Sequence, residues 1–419
     1  MRIAIIALGS QGDVRPYIAL GKGLQKAGNF VRLVSHENFE NLVNSHGLEF
    51  CPVKGNVQDI IESKEMREAL EKGNFFAIQS QMAKQGPSLV LDWTKQGFTA
   101  CQGMDLVLAG MGGLSLGLSL AEKLQIPLLQ AYVVPFTPTK DFPSVLLPQS
   151  LSKLGSLFNR YSHHLTRQFI WQPMRSADKL ARQDILGLPP ASFWGPYNSD
   201  RLTSSPIVYG FSPSVIPKPS DWDLNIYVSG YWFLDSDTDW TPPPELVEFL
   251  GNGSPPIYIG FGSMSNKNPE ETANLCLQAL AQTKQRGIML SGWGGLQKAN
   301  LPDTIFMVDS IPHSWLFPRV AAVVHHGGAG TTAAGLRAGV PSIIIPFFGD
   351  QLFWGQRVAE LGVGTKPIPR QKLTVEKLAR AIQQAIADRE MRQRASDLVS
   401  KIQAVDGIAE LVIIVRNIK

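Results

Sequence analysis

The stretch His325–Gln351, HHGGAGTTAAGLRAGVPSIIIPFFGDQ, decides how the rest of the chain is read. The apolar run Ala321–Val324 before it reads as a buried strand, and Gly327, Gly328 and Gly330 follow at once. Glycine lets the backbone come close to a ligand, and successive N–H groups at a helix N-terminus attract a phosphate anion. Thr331 and Thr332 can add hydroxyl donors to the loop Gly328, Ala329, Gly330 while starting a helix. The plain alternative is a tight strand-to-helix turn that needs glycine for its shape alone. His326, beside this nest, reads as a cationic or hydrogen-bonding partner of a diphosphate, with a satisfied core histidine as the bland reading. The next apolar run, Ser342–Pro346, makes the segment a strand–helix–strand unit of a parallel sheet.

Working outward, Gly260–Met264 (GFGSM) ends another apolar run, and Ser263 with its neighbouring amides can hold the other side of a diphosphate. Downstream of the strand at 342–346, Asp350 and Gln351 put acceptors and donors side by side, which suits several sugar hydroxyls. Asp350 is equally readable as the N-cap of the helix that starts QLFWGQRVAEL. The runs Pro255–Gly260, Gly287–Ser291, Ile305–Val308 and Ala321–His325, with a helix at Asn268–Lys284, complete one alternating α/β half.

The first half shows the same alternation. Arg2–Leu8, Phe30–Ser35, Asp105–Ala109 and Pro127–Val133 read as strands, with helices at Pro16–Lys26 and Leu114–Lys123. Its first strand runs into GSQGDVRPYIALGKGL, where Asp13 is either a helix N-cap or a general base that takes a proton from an attacking hydroxyl. Ser10 can orient that carboxylate or an acceptor. The fold class is therefore α/β, two Rossmann-like domains with parallel sheets facing across a cleft. Pro206–Pro256, crowded with Pro, Ser, Asp and Trp, reads as the connector. Val375–Lys401 reads as one charged amphipathic helix, and Ile408–Ile418 as an apolar tail that packs back on the body.

Composition bounds the rest. With 419 residues, 44% apolar and 18% charged, the chain has core enough for two domains. A net charge of +4, without a dense basic run, gives no reason to invoke nucleic acid. Cys51, Cys101 and Cys276 form no C-x-x-C pair and suit a reducing cytosol. The N-terminus reads as a strand rather than a signal peptide, and the uncharged stretch Leu106–Ala121 is too short and glycine-rich to span a bilayer. No metal site is expected. Asp221-Trp-Asp223 and Asp235–Asp239 match a D-x-D pattern but lie in the connector, and His163-His164 has no ligand partner at useful spacing.

These residues carry a family resemblance over nearly the whole chain. GSQGDVRPYIALGKGL, WTPPPELVEFLGNGSPPIYIGFGSM and IPHSWLFPRVAAVVHHGGAGTTAAGLRAGVPSIIIPFFGDQLFWGQRV resemble inverting glycosyltransferases of the GT-B fold, family 1. The similarity is to the branch that holds sterol glucosyltransferases and the enzymes acting on glycopeptide antibiotic aglycones. The resemblance implies an acceptor domain over 1–215, a donor domain over 216–395 and a tail over 396–419. It implies that Asp13 is the catalytic base and that Ser263, His326 and Gly328–Thr332 bind the diphosphate of a UDP-sugar. Asp350 and Gln351 would hold the sugar, and Val308 and Ile311 would line the uracil pocket. Plant members have His in place of Asp13, a Trp near Val308 and a Glu near Gly335, all of which differ here. Trp293 is a further candidate beside the base. No cofactor is implied beyond the UDP-sugar co-substrate.

The acceptor is expected to be lipophilic, such as a sterol. Ala131–Arg175, apolar, aromatic and basic, would line its pocket or touch a membrane surface, and its helices alternatively just pack inside the domain. A nucleotide-sugar epimerase on the same fold, and a non-catalytic nucleotide-sugar or lipid carrier, are the competing readings.

Overall fold

The computed structural model describes residues 1–55, 63, 65–66, 75–234, 240–262, 269–291 and 301–418, with backbone alone at 75–79, 82–88 and 269. It divides into two compact units, Met1–Leu234 with Val405–Lys419, and Asp235–Ala404.

The first unit is built on a seven-stranded sheet ordered β3-β2-β1-β4-β5-β6-β7, every pair of which is parallel. The strands are β1 (Arg2–Ile6), β2 (Phe30–His36), β3 (Glu49–Val53), β4 (Leu106–Ala109), β5 (Leu128–Tyr132), β6 (Ile207–Tyr209) and β7 (Ile226–Val228). Ile3, Ala4, Ile5 and Ile6 are all buried, because a parallel strand flanked by crossover helices meets no solvent on either face. Ile3 pairs with Val31 on one side and Leu106 on the other, so β1 is an interior strand of the sheet. Helices Gln11–Lys26, Phe75–Cys101, Leu114–Leu124 and Ser156–Leu180 accompany it.

The second unit has a five-stranded parallel sheet, β10-β9-β8-β11-β12, from β8 (Ile257–Gly260), β9 (Gly287–Leu290), β10 (Ile305–Val308), β11 (Ala322–His325) and β12 (Ser342–Ile344). Its aliphatic core joins Ile257, Ile259, Val324 and Ile343 to Leu378 and Ile382 of the helix Val375–Ala387.

Three expectations need correction. The connector over Pro206–Pro256 contains β6 and β7, so the first unit runs on past residue 215 to Leu234. Both strands have only three residues and are walled by Pro, Ser and Asp, which hides them from a periodicity reading. The single helix over Val375–Lys401 is two, because Asp388 caps a new helix, Arg389–Gln403, by accepting the Met391 N–H at 2.9 Å. Residues 396–403 therefore belong to the second unit, and it is Val405–Lys419 that returns to the first.

That return is anchored by glycine. The helix Gly407–Arg416 packs on Gln11–Lys26, with Ile408 seated over Gly23. A Cβ on Gly407 would lie 2.4 Å from the Gly230 carbonyl oxygen and 2.7 Å from that of Tyr231, both rigid backbone atoms. Gly230 itself is at φ +100°, where other residues are strained. Gly407→Ala is therefore expected to destabilise the protein by about 1–3 kcal/mol, the usual range for overpacking. Chemical denaturation would show it as a lower midpoint, and an unchanged midpoint would contradict the contact.

Candidate functional site

In an open parallel sheet, ligands gather beyond the carboxyl ends of the strands where the strand order reverses. In the first unit that point lies between β1 and β4, which are neighbours though not consecutive. β1 is followed by Gly9, at φ +146°, and Ser10, the N-cap of the helix Gln11–Lys26. The helix thus starts five residues earlier than Pro16, and Asp13 sits at its third position, where it forms a capping box with the N-cap Ser10 rather than being the N-cap itself. The Ser10 backbone N–H and the Ser10 hydroxyl both donate to Asp13 Oδ2, each at 2.8 Å. Gly9 is required for this fit, since a Cβ there would lie 2.5 Å from the same oxygen.

Only one oxygen of Asp13 is used in this way. Oδ1 has no hydrogen-bond partner among the described residues. Burial pushes the Asp13 carboxyl above its ordinary value, and the two Ser10 bonds oppose that rise. One turn along, Tyr17 donates to the Ala131 carbonyl oxygen at 2.6 Å, and burial with the nearby Asp13 charge raises its phenol. Gly110, after β4, leaves the space that Tyr17 occupies. A Cβ at Gly110 would stand 2.6 Å from the phenolic oxygen.

In the second unit the order reverses between β8 and β11. β8 is followed by Phe261 and Gly262, the latter at φ +59°. Ser263 lies outside the described residues, as do Trp293 and Asp235–Asp239. After β11 the chain passes His326 and Gly327 (φ +94°) to Gly328, the N-cap of the helix Ala329–Ala338. A glycine cap offers no side-chain acceptor, and the first turn holds no acid. Helix geometry leaves the N–H groups of Ala329, Gly330 and Thr331 without intrahelical acceptors, at the positive end of the dipole.

The imidazole of His326 sits between the two turns. Its Nε2 is 2.5 Å from where a Gly328 Cβ would be, and its Cε1 is 3.5 Å from the same position on Gly262. A Cβ at Gly330 would meet no atom of the described residues within 4 Å, and Gly330 is exposed. Thr332 is fully buried and its hydroxyl oxygen has no partner, while its N–H closes the first turn on the Gly328 carbonyl at 2.9 Å.

His326 is not a standing cation. Burial lowers it to about 4, so at neutral pH it is a neutral ring that can donate or accept a single proton. The same cause holds its buried neighbour His325 well below the ordinary value, and His325 Nδ1 accepts the Gly327 N–H at 3.1 Å. That bond shapes the turn, so the two adjacent histidines divide the work between backbone support and the open side.

After β12, Gln351 is buried and its side-chain oxygen accepts the N–H groups of Phe347 and Phe348 at 2.7 and 3.2 Å, closing the turn. Asp350 caps nothing with its side chain. Its Oδ2 instead accepts the indole N–H of Trp354 at 2.7 Å, which holds the carboxyl in place. Val308 and Ile311 pack among apolar neighbours. Both are buried in a core cluster with Tyr258, Leu316 and Phe317. Asp221 fastens a loop, accepting from the Thr139 hydroxyl and the Lys140 N–H at 2.7 and 2.9 Å.

Comparison with known proteins agrees with this division. Residues 3–143 match the glycosyltransferase family 28 N-terminal domain, and residues 288–417 match the erythromycin biosynthesis protein CIII-like C-terminal domain. A sterol 3-beta-glucosyltransferase of Arabidopsis thaliana is 37% identical over 98% of this chain and 67% of its own length. One of Aspergillus fumigatus is 35% identical over 98% of this chain but only 29% of its own. The chain belongs to the glycosyltransferase family that contains the sterol 3-beta-glucosyltransferases. Its fold is GT-B. The glycosyltransferase of kitacinnamycin superposes with a TM-score of 0.73 over 100% of this chain and 99% of its own, at 17% identity. The glycosyltransferase VinC, solved in complex with DTDP, gives 0.67 over 99% of each chain at 19% identity.

For this glycosyltransferase, sequence reading missed Tyr17, Gly110 and the structural part of His325. The signal for Tyr17 was its spacing of four from Asp13, which puts both on one helix face. No such local signal exists for Gly110, which reaches Tyr17 only through the sheet.

The buried histidines also set an acid limit. His36, His163 and His326 are lowered from 6.5 to about 4, and His325 lies well below 6.5. A lowered histidine binds its proton more readily when unfolded, so the stability it permits is complete above about 6.5 and is lost as pH falls towards 4. The raised carboxyls of Asp13 and Asp178 act in the opposite sense, since acidification relieves them. With histidines outnumbering such carboxyls, denaturation midpoints are expected to drop from pH 7 to pH 4.5. A midpoint that rises over that window would contradict the assignment.

Proposed function

We propose that this glycosyltransferase moves a glucosyl group from UDP-glucose to the hydroxyl of a sterol or similar lipophilic alcohol. The transfer inverts the anomeric carbon, requires no metal ion, and uses Asp13 as general base. The observation that carries the reading is the divided carboxylate, with Oδ2 held by Ser10 and Oδ1 unpartnered at the switch point of its sheet. A base needs one oxygen fixed for orientation and one available for the proton, and desolvation that strengthens its basicity.

The atoms balance as a single displacement. The acceptor oxygen attacks the anomeric carbon while its proton passes to Asp13 Oδ1, and the bond from that carbon to the β-phosphate oxygen breaks. UDP leaves with the electron pair, and Asp13 later gives the proton to solvent. A single carboxylate suffices, since inversion forms no glycosyl-enzyme intermediate and a diphosphate stabilised by fixed donors leaves without a general acid. The negative charge that grows on the leaving diphosphate is met by the amides of Ala329, Gly330 and Thr331 and by an N–H of neutral His326. Fixed dipoles of this kind are the reason to expect no divalent cation. Asp350, held by Trp354, has the rigidity to bind sugar hydroxyls. The sterol is carried over from the plant and fungal relatives, of whose length this chain spans from about two thirds to under a third.

Asp13→Asn is the sharpest test. The amide oxygen can still accept from both Ser10 donors, so the helix start should survive. Turnover is expected to fall by about 10²–10⁴, the usual contribution of a positioned base, with UDP affinity by calorimetry unchanged within about twofold. Full turnover in this variant would remove the base assignment. Product is also expected at an undiminished rate in excess chelator. Transfer that stops there and returns with magnesium would overturn the metal-independent reading.

A further inference from the structure

The helix Ser156–Leu180 is inside out. The residues it buries in its first three turns are polar: Asn159, Ser162, His163 and Thr166. They face an irregular stretch whose backbone has no ladder to join, and they satisfy it. Asn159 donates to the Lys140 carbonyl at 2.8 Å, His163 donates to that of Phe142 at 3.0 Å, and Ser162 Oγ accepts the Ser144 N–H at 2.8 Å. The outward face carries the apolar side chains. Leu157, Tyr161 and Leu165, spaced by four, are 67%, 65% and 67% exposed, and Leu154, just before the helix, is exposed as well.

A second element extends this stripe. The Gln168 side-chain amide donates to the Trp194 carbonyl, and the Gln172 amide and the Trp171 indole N–H donate to the Phe193 carbonyl at 3.0 and 3.1 Å. The loop is thereby fastened along the helix, with the rings of Phe193 and Trp194 exposed. Charge along this segment has one sign. From Phe142 to Ala177 the chain holds Lys153, Arg160, Arg167 and Arg175, and not one Asp or Glu. Lys153, Arg160 and Arg175 are exposed beside the stripe, and Arg175 also covers the Phe193 ring at 4.7 Å.

We propose that this face is a docking surface for a lipid bilayer bearing anionic headgroups. A solvated helix face would be polar, and a face meant for the protein core would be buried. An apolar strip about 12 Å long between Leu157 and Leu165, set with Tyr and Trp and carrying exposed cations from its own segment, fits the boundary between acyl chains and headgroups. The leucines enter the acyl layer, the aromatic rings lie at its edge, and the basic side chains reach the phosphates. No helix among the described residues is long and apolar enough to cross a membrane, so this surface lies on the bilayer.

The test uses sedimentable vesicles of phosphatidylcholine, with and without phosphatidylglycerol, and does not depend on the proposed reaction. The full chain is expected to bind the anionic vesicles at least about tenfold more tightly than the neutral ones. The variant L157Q/Y161Q/L165Q is expected to lose at least about tenfold of that binding, with a melting curve close to wild type because these side chains are about two-thirds exposed. K153Q/R160Q is expected to weaken the preference for anionic vesicles. Three results would overturn the proposal: wild type that stays in the supernatant with both vesicles, binding that survives in the triple variant, or a concentration-dependent dimer that the triple variant abolishes, which would make the face a contact between copies.

Discussion

A parallel sheet cannot be closed by tight hairpins, so each strand must return through a crossover on one face or the other. Where the direction of winding changes, two neighbouring strands send their following segments to opposite faces, and the space beyond their carboxyl ends stays open. Both units have one such place, β1 beside β4 and β8 beside β11. The chemistry-bearing residues are there because the backbone ends there. Asp13 follows β1, Gly110 follows β4, Gly262 follows β8, and His326 follows β11.

Close approach is the second constraint, and glycine answers it in both units. Gly9 and Gly328 each stand where a methyl group would overlap a functional side chain at 2.5 Å, the Asp13 carboxylate in one case and the His326 ring in the other. The positions are equivalent in role though unrelated in sequence. In each, a turn is compressed until a polar side chain lies directly over backbone, which fixes its direction without side-chain packing. Compression also removes water, which is why the Asp13 carboxyl is raised and the His326 ring lowered. Both shifts favour the neutral form, and both leave the group ready to exchange one proton or one hydrogen bond with a charged ligand.

The same accounting of backbone groups explains the helix Ser156–Leu180. Its polar residues point inward because the stretch at 140–144 would otherwise bury carbonyl and amide groups without partners. Satisfying that loop takes the polar residues out of solvent and turns Leu157, Tyr161 and Leu165 outwards. An exposed apolar stripe here follows from a hydrogen-bonding demand inside the protein, and the surrounding cations decide what kind of surface it suits.

The residue order by itself determined the α/β class, the strands that carry the two switch points, and the glycine-bearing turn at 325–332, because apolar runs and glycine are local signals. It also pointed to Asp13 and Asp350 as the acids at strand ends. Only the tertiary structure decided that β6 and β7 belong to the first sheet, since three-residue strands carry no period of their own. Only it showed that Ser10 holds one Asp13 oxygen, that Trp354 rather than a helix amide holds Asp350, and that His326 is neutral. Only it put Val308 and Ile311 in a core. The physical reason is common to all of these. Burial, protonation and the choice among hydrogen-bond partners depend on atoms brought near from distant parts of the chain, and no local pattern encodes that proximity.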